Sequence, residues 1–522
     1  MDRSPRRTRG RKRAMPAETA ALPAPQFSHR EILEILSGAL LGLLLAALDQ
    51  TVVVTALPAI AGELNGLQHL SWIVTAYLLT STASTPIYGK LSDLYGRRMM
   101  LLIGICVFIA SSAFCALAQT MGQLIAARAL QGIGGGALIS MSQAIIADVI
   151  SPRERGRYQV YMSGVWALAS LGGPVMGGLF VEYLTWRWVF WVNLPLGVLG
   201  LILCNKPLKR LVVRRQQPRI DYLGAAILIP AVVSLLLVAS WGGTEFAWDS
   251  PQILGLIGVG IMLTAAFALQ ELRALEPLLP PRLFIDPVIR IANFNSFVVS
   301  AGMFGAIVLL PVFLQLVLGA SAGRTGLLLI PLMGGTVLGA YPAGQWMRLT
   351  GRYKKAPIVT LSGAVAAFAL LATCGPSTPQ LLVALYIGVL GVGIGGSMPV
   401  MLVAAQNAAE SRDTGVATAS IAFFRSLGGS FGAAALWSAL LYFFDRNLAA
   451  LGVPGFAAVA LQGAEGRAAV LTPAARGALA QAFDWTYIGG AAIMLASVGL
   501  AMILKEIPLR TSPAHTAPSA EI

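Results

Sequence analysis

Long apolar stretches separated by short polar ones run through most of the chain. A helix of about 20 apolar residues is long enough to cross the hydrocarbon core of a bilayer. Stretches of about this length lie near residues 36–62, 71–90, 99–119, 122–147, 158–181, 188–206, 221–241, 252–271, 293–318, 326–347, 356–374, 380–405, 416–444 and 485–505. The pattern therefore predicts an all-α membrane protein with 14 transmembrane helices.

The charge distribution supports this layout and predicts an orientation. Only 11% of the residues are charged, whereas a soluble protein carries about 25%. Of the 37 Lys and Arg residues, 30 fall on one set of alternating loops and termini, 5 on the other set and 2 within spans. Basic loops stay in the cytoplasm, so both termini are expected there. The net charge of +14 thus reflects topology, and we expect no nucleic-acid partner.

The sequence contains no pattern typical of a metal site, a nucleotide-binding site or a catalytic site. The four cysteines (Cys106, Cys115, Cys204 and Cys374) all lie in apolar stretches without metal-ligand spacing. The G-x-G-x-x-G pattern from Gly391 to Gly396 lies inside a span with no preceding strand, so it does not predict a dinucleotide site. We find no phosphate-binding loop and no grouping of catalytic residues. The chain is therefore expected to be no enzyme and to need no metal or cofactor.

An internal repeat divides the chain. Residues 89–98 after span 2 and residues 344–352 after span 10 share the pattern G-x-x-x-charged-x-x-G-R. Spans 1–6 thus correspond to spans 9–14, and two such bundles are typical of secondary transporters. The expected organisation is a disordered basic cytoplasmic tail (1–35), a six-helix bundle (36–206), a linker with inserted spans 7 and 8 (207–292), a second six-helix bundle (293–505) and a cytoplasmic tail (506–522). A long outer loop (445–484) is expected to contain a short helix beginning at Pro473.

One acidic residue, Asp49, lies in the middle of span 1. An acid at that depth costs about 2.5–3.5 kcal/mol on insertion scales, and such residues usually face a cavity or a charged partner. In the functional interpretation, the other helices form a cavity around Asp49, and protonation of its carboxyl group drives transport. The structural alternative is an acid whose hydrogen bonds are satisfied by neighbouring helices.

Four motifs resemble the major facilitator superfamily, specifically its fourteen-span drug/proton antiporter family. They are Leu48 to Pro58 in span 1, Gly89 to Arg98 after span 2, Arg128 to Gly136 in span 4 and Gly173 to Gly178 in span 5. The junction from Trp186 to Pro195 is also similar. The chain departs from the family pattern at Val54, at Ala169 and at Arg348, which stands where the first half has Asp93.

The residues and the resemblance together give the candidate sites. Asp49 and Arg128 are expected to couple protons to transport, with a structural ion pair as the alternative. The others fall into three groups by expected role. Substrate binding is expected of Gln50, Tyr77, Gln131, Asn295 and Gln315. Gating is expected of Gly89, Asp93, Gly96, Arg97, Arg98 and Asp148. Helix packing or kinking is expected of Gly173, Pro174, Gly177 and Gly178. For the polar residues the alternative is an interhelical hydrogen bond, and for the loop a solvated segment.

The favoured hypothesis is an exporter that exchanges amphipathic, often cationic, compounds for protons by alternating access. Its partners would be a small-molecule substrate, protons and the lipid bilayer, and it would work as a monomer in the cell membrane of a bacterium. The main alternative is proton-coupled export of one endogenous metabolite or lipid. A transport-inactive scaffold and a membrane enzyme are weaker alternatives.

Overall fold

A computed structural model describes residues 29–64, 70–205, 207–210, 221–242, 246–274, 277–320, 322–410, 413–451 and 473–509. Every regular element within these ranges is helical. Twelve of the described helices are long and apolar enough to cross a membrane. The molecule is thus an all-α, multi-pass membrane protein.

Six helices form the N-terminal half. They are α1 (His29–Leu64), α2 (Leu70–Tyr95), α3 (Arg97–Leu117), α4 (Met121–Val149), α5 (Pro152–Tyr183) and α6 (Asn193–Asn205). A one-turn helix, Trp188–Trp191, precedes α6, and a 3₁₀ turn, Pro207–Arg210, follows it. The inserted helices are α7 (Tyr222–Trp241) and α8 (Pro251–Arg273).

The C-terminal half repeats the six-helix arrangement. Its helices are α9 (Pro287–Val312), α10 (Ala322–Thr350), α11 (Lys355–Leu371), α12 (Gln380–Ala408), α13 (Thr414–Ala449) and α14 (Pro473–Ile503). A short helix, Pro281–Ile285, precedes α9, and a π-helical turn, Phe313–Val317, extends it. The aromatic rings of Phe313, Phe368, Phe483 and Tyr487 pack together in the core of this half.

The helix bounds differ from the sequence expectations at several points. Helix α1 begins at His29, so residues 29–35 are helical rather than part of a disordered tail. The short helix expected at Pro473 is instead the first part of α14, which continues without a break to Ile503. Residues 1–28, 452–472 and 510–522 of the expected tails and outer loop lie outside the described residues.

Two predicted spans are helical but are not among the twelve. Span 71–90 corresponds to α2, and span 356–374 corresponds to the shorter α11 of 17 residues. The polar run of Thr and Ser residues from Thr80 to Thr85 lowers the hydropathy of α2. The count of 14 transmembrane helices therefore stays a prediction.

Small residues bring α1 and α5 close together. A Cβ atom on Gly173 would lie 2.1 Å from the Oγ1 of Thr51, and one on Gly177 would lie 2.0 Å from the Oγ1 of Thr55. Close backbone approach of this kind is what small residues contribute to packing between membrane helices. The two glycines therefore fit the packing role expected of them.

The other two residues of that motif do not pack in this way. Gly178 is exposed, and a Cβ atom on it would meet no other atom within 4 Å, so its expected packing role is wrong. Pro174 is also exposed, and α5 continues as one helix through it. Both residues lie on the face of α5 that points away from α1, because Gly173 and Gly177 occupy the contacting face.

The two halves meet at the end of the molecule where the basic loops lie, which we call the basic end. There α2 packs against α13, and α5 packs against α10. The last glycine of each repeated loop motif has a positive φ angle, 92° at Gly96 and 67° at Gly351. Glycine adopts this conformation at little cost, so the repeat extends to the backbone conformation of the two turns.

Candidate functional site

A buried ion pair lies at the centre of the N-terminal half. The Nη1 atom of Arg128 on α4 donates to the Oδ2 atom of Asp49 on α1 over 2.6 Å. Gln131, one turn further along α4, donates from Nε2 to the Oδ1 atom of Asp49 over 2.9 Å. The side chains of Asp49 and Arg128 are 0% and 1% exposed. Two helices that are distant in sequence thus place three of the predicted residues together.

A fourth member of this site, Asn193, had no predicted role. Its Nδ2 atom donates to the Oδ1 atom of Asp49 over 2.9 Å and to the Oγ atom of Ser112 over 3.0 Å. Asn193 is the first residue of α6 and is fully buried. The available signal was one amide side chain within the otherwise apolar junction from Trp188 to Pro195.

The guanidinium of Arg128 is enclosed by aromatic rings and a main-chain carbonyl. Its Nε donates to the carbonyl oxygen of Ile73 over 3.1 Å. Its Cζ atom lies 4.4 Å from the ring centroid of Tyr77 and 5.8 Å from that of Phe190, distances suited to cation–π attraction. Tyr77 therefore contacts the cation of the pair rather than a substrate in this conformation.

These contacts correct the expected cavity around Asp49. The carboxylate is sealed inside the N-terminal half, with donors from Arg128, Gln131 and Asn193. A buried carboxylate is tolerated when its oxygens are paired and hydrogen-bonded in this way. This conformation matches the structural alternative, because the side chain of Asp49 is 0% exposed and its oxygens are hydrogen-bonded.

Of the remaining predicted substrate residues, Gln50 lies beside the hydroxyl group of Tyr77 at this site, whereas Asn295 and Gln315 lie elsewhere. Gln50 follows Asp49 on α1 and is partly exposed. Asn295 on α9 belongs to the other half, where its Nδ2 donates to the carbonyl of Ser497 over 2.8 Å and its Oδ1 lies 3.4 Å from the Oγ of Ser397. Gln315 lies in the π-helical turn after α9. Asn295 thus forms the interhelical hydrogen bonds that were its alternative.

A second polar cluster joins the two halves at the basic end. The Oδ1 and Oδ2 atoms of Asp93 on α2 accept hydrogen bonds from the backbone nitrogens of Gly415 and Val416, over 3.2 and 3.1 Å. These nitrogens belong to the first turn of α13, where free N–H groups favour an anion. Gly89 allows the contact, because a Cβ atom there would lie 2.4 Å from that of Ala419.

Arg97 links this contact to the neighbouring loop. Its Nη2 atom lies 2.6 Å from the Oδ1 of Asp93, and its Nε donates to the Oδ2 of Asp148 over 2.8 Å. The predicted gating residues Gly89, Asp93, Gly96, Arg97 and Asp148 are therefore brought together. Arg98 is not part of the cluster, since its Nε donates to the carbonyl of Asn205 at the end of α6, over 3.2 Å.

Two further contacts cross the basic end, and the run Arg153 to Arg157 was expected to join the gating network but its partners were not predicted. Arg155 on α5 donates from Nη1 to the Oε1 of Gln406 on α12 over 2.9 Å. The Nε of Arg348 on α10 lies 3.5 Å from the Oε1 of Glu154 on α5. The sequence signals were Arg348 itself, which replaces the acid of the first motif, and the charged run Arg153 to Arg157.

The basic-end contacts form a symmetrical arrangement with inverted charge. In the first half an acid of the loop motif, Asp93, reaches α13 of the second half. In the second half a base at the corresponding position, Arg348, reaches α5 of the first half. In this conformation the basic end is therefore closed by contacts from both repeats.

Comparison with known proteins agrees with this architecture. A family model described as the Major Facilitator Superfamily matches residues 39–433. An uncharacterised MFS-type transporter of Mycobacterium tuberculosis is 38% identical over 483 residues, which cover 91% of this chain and 70% of the relative. Multidrug transporter protein MdtP of Bacillus subtilis is 39% identical over 401 residues, which cover 76% of this chain and 73% of that protein.

A solved structure shows the same fold. The proton:xylose symporter XylE aligns with a TM-score of 0.59 and 17% identity, covering 92% of this chain and 97% of that one. The predicted superfamily is thus confirmed by the family model, by close relatives and by the fold. This chain belongs to the Major Facilitator Superfamily and is a multi-pass membrane transporter of small molecules rather than an enzyme.

Proposed function

We propose that this transporter exports amphipathic drugs or toxic compounds, including cationic ones, in exchange for protons by alternating access. The observation that carries the proposal is the network of Asp49, Arg128, Gln131 and Asn193 inside the N-terminal half. The relatives described as multidrug transporters support the substrate class.

The network supplies a carboxyl group whose partners depend on the positions of two helices. Burial disfavours an ionised carboxylate, and a guanidinium at 2.6 Å favours it. Separating α1 from α4 removes the guanidinium and the amide of Gln131 together, because both belong to α4. Asp49 then takes up a proton in one conformation and releases it in the other, which couples proton movement to the alternation of the halves.

The energy released by one proton that enters the cell is sufficient to drive export against a concentration gradient. One elementary charge that crosses 100 mV releases about 2.3 kcal/mol. Since about 1.4 kcal/mol corresponds to a factor of ten in concentration, one proton per substrate sustains a gradient of roughly fortyfold for a neutral compound.

The basic end serves as the gate in this proposal and faces the cytoplasm, following the excess of basic residues on that side. Asp93, Arg97 and Asp148 hold the cytoplasmic gate closed while substrate leaves on the opposite side. Opening the gate breaks the hydrogen bonds from Gly415 and Val416 to Asp93. The transporter then binds its next substrate from the cytoplasm, as a monomer in the cell membrane of a bacterium.

The experiment is transport by purified protein in liposomes with an imposed proton gradient. Wild-type protein is expected to move ethidium against its concentration gradient and to move protons in the opposite direction. Asp49→Asn keeps the size of the side chain and removes its titration, so it is expected to abolish both movements. Arg446→Gln, an exposed change on α13, serves as the matched control.

The result separates the proposed coupling from the structural alternative. Uphill export by Asp49→Asn at the wild-type rate contradicts proton coupling through this residue. The melting temperature of each variant is measured in parallel, so that loss of transport is interpreted only for folded protein. A wild-type protein that moves no amphipathic compound in the presence of a proton gradient contradicts the proposed function as a whole.

A further inference from the structure

A lone cation lies within α13 of the C-terminal half. Arg425 is the twelfth residue of that helix, so it lies about 16 Å from the basic end at 1.5 Å per residue. It is partly buried. Residues 421, 428 and 432, which share its side of the helix, are buried against the rest of the half.

Arg425 differs from the other arginines buried near the membrane interior. Arg128 pairs with Asp49, and Arg155 donates to Ile150, Ala147 and Gln406. Within the described part of the chain, Arg425 has neither an acidic partner nor a hydrogen-bond acceptor. An arginine does not lose its charge in proteins, so one positive charge stays uncompensated inside the C-terminal half.

The packing of α13 against α9 identifies what lies beside this cation. A Cβ atom on Gly428 would lie 2.0 Å from the carbonyl oxygen of Phe297, and one on Gly432 would lie 2.1 Å from the Cα of Ala301. Both helices run away from the basic end, so each residue of α13 lies level with the α9 residue numbered 131 lower. Arg425 is therefore level with residue 294 of α9, one residue beyond Asn293.

Asn293 is a polar residue at nearly that level. It is 0% exposed, and neither its Oδ1 nor its Nδ2 has a hydrogen-bond partner among the described residues. Phe297, which contacts Gly428, lies one turn further along α9, so Asn293 lies on the side of α9 that packs against α13. An unpaired guanidinium and an unpaired amide thus occur at one depth on two adjoining helices.

Leaving these groups unpaired costs free energy. A buried polar group without a hydrogen bond is rare in native proteins, and each case needs a ligand, a water molecule or a function to explain it. A charged residue within a membrane span marks a substrate or ion pathway by default. Two such groups at one depth are typical of a binding site, where a bound molecule supplies the missing hydrogen-bond partners.

We propose that Arg425 and Asn293 bind an acidic group, a carboxylate or phosphate, of the amphipathic compounds that this protein transports. A guanidinium matches the two oxygens of such a group. The amide of Asn293 adds a donor that also binds an oxygen. The inference rests on the proposed export function and extends its substrates to zwitterionic and anionic amphipathic compounds.

The test compares one apolar body with and without an acidic group. Binding of 1-pyrenebutyric acid and of its uncharged methyl ester is measured by fluorescence, using the full-length protein in nanodiscs of phosphatidylcholine at pH 7.5. Wild-type protein is expected to bind the acid at least about tenfold more tightly than the ester, since a hydrogen bond to a charged group is worth at least that factor.

Substitutions test whether the preference for the acid over the ester depends on Arg425 and Asn293. Arg425→Gln is expected to remove the preference for the acid and to leave binding of the ester unchanged, while Arg425→Lys keeps part of it. Asn293→Leu is expected to weaken acid binding by a smaller factor. The control Arg446→Gln removes the same charge from an exposed position of the same helix and is expected to bind like wild type. Removal of an unpaired, partly buried charge is not expected to lower the melting temperature of Arg425→Gln.

Three results overturn the proposal. The first is equal binding of acid and ester by wild type, and the second is an unchanged preference in Arg425→Gln. The third is loss of the preference when phosphatidylglycerol replaces part of the phosphatidylcholine, which assigns the site to a lipid headgroup. Failure of ethidium export in liposomes contradicts the proposed function and leaves this binding measurement intact, so the two failures are distinguishable.

Discussion

The carboxylate of Asp93 on α2 accepts a hydrogen bond of 3.2 Å from the backbone nitrogen of Gly415 at the start of α13. This contact joins one repeat to the other at the N-terminus of a helix, where a negative charge is stabilised. Arg97 lies 2.6 Å from the same oxygen and keeps the carboxylate oriented toward α13. The contact exists only while the basic end is closed, so changes at Asp93 act on the alternation of the halves.

Asp93→Asn is expected to slow transport more than it weakens substrate binding. The amide places an N–H₂ donor where one carboxylate oxygen accepts from a backbone nitrogen of α13, so one hydrogen bond between the halves is lost. That loss costs about 1–2 kcal/mol, which corresponds to roughly a tenfold change in rate. Initial transport rates over a range of ethidium concentrations measure the maximal rate and the apparent affinity separately. A change confined to the apparent affinity contradicts the gating role.

The pH response of the closed basic end follows from the same residue. Asp93 lies three residues beyond the predicted end of span 2, and burial raises its pKa to about 6. When the gate opens, the carboxyl group meets water and its pKa returns toward about 3.9. The closed form therefore binds the proton more tightly, so acidification favours closure, and its population relative to the open form rises about fourfold between pH 7.5 and 5.5.

Distances between spin labels at the basic end measure this response. Met99 and Arg352 are exposed and belong to different halves, so labels there report gate opening. Asp93→Asn removes the titrating group and is expected to flatten the pH response. A wild-type gate that opens on acidification shows that the sign is wrong.

Arg128→Gln is expected to destabilise the protein more strongly than the double change Asp49→Asn with Arg128→Gln. The single change leaves the buried carboxylate of Asp49 without its cation, at a cost of about 3–5 kcal/mol. The double change leaves two neutral amides that can bond to each other. Melting temperatures of both variants in the same detergent test this order, and a double variant that melts lower than the single one contradicts it.

Gly177→Val is expected to lower the melting temperature, and Gly178→Val is expected to leave it unchanged. A side chain at residue 177 overlaps the Oγ1 of Thr55 and forces α1 and α5 apart, whereas nothing lies within 4 Å at residue 178. Overpacking of this kind costs about 1–3 kcal/mol. Because the two glycines are adjacent, the pair controls for helix propensity, and equal effects of the two substitutions rule out the packing explanation.

The Glu154–Arg348 pair provides a charge-swap test of the second cross-half contact. Each side chain is partly exposed, 43% and 39% respectively, so the pair contributes at most about 1 kcal/mol and weakens with salt. Glu154→Arg and Arg348→Glu alone are each expected to open the basic end, as measured by the same spin labels. The double swap is expected to restore closure at low salt, and failure to restore it shows that the two residues do not act as a pair.

The membrane architecture could be predicted from the sequence because hydropathy is a local property. The apolar runs, the basic loops and the repeated motif at Gly89 and Gly344 each depend on residues close together in the chain. Asp49 and Arg128 were identified in the same way, since a charge within an apolar run costs free energy wherever the helix packs. The sequence by itself thus determined the helical fold, the pseudo-repeat and the candidate ion pair.

Only the tertiary structure decided which polar groups meet. Asn193 reaches Asp49 from 144 residues away, Arg348 meets Glu154 across the two halves, and Arg425 lies nearly level with Asn293 without an acid to neutralise it. The burial of Asp49, which excludes the expected open cavity in this conformation, was equally a matter of packing. Such contacts depend on which helix faces pack against each other and at what depth in the membrane. Neither can be predicted from any single stretch of the chain.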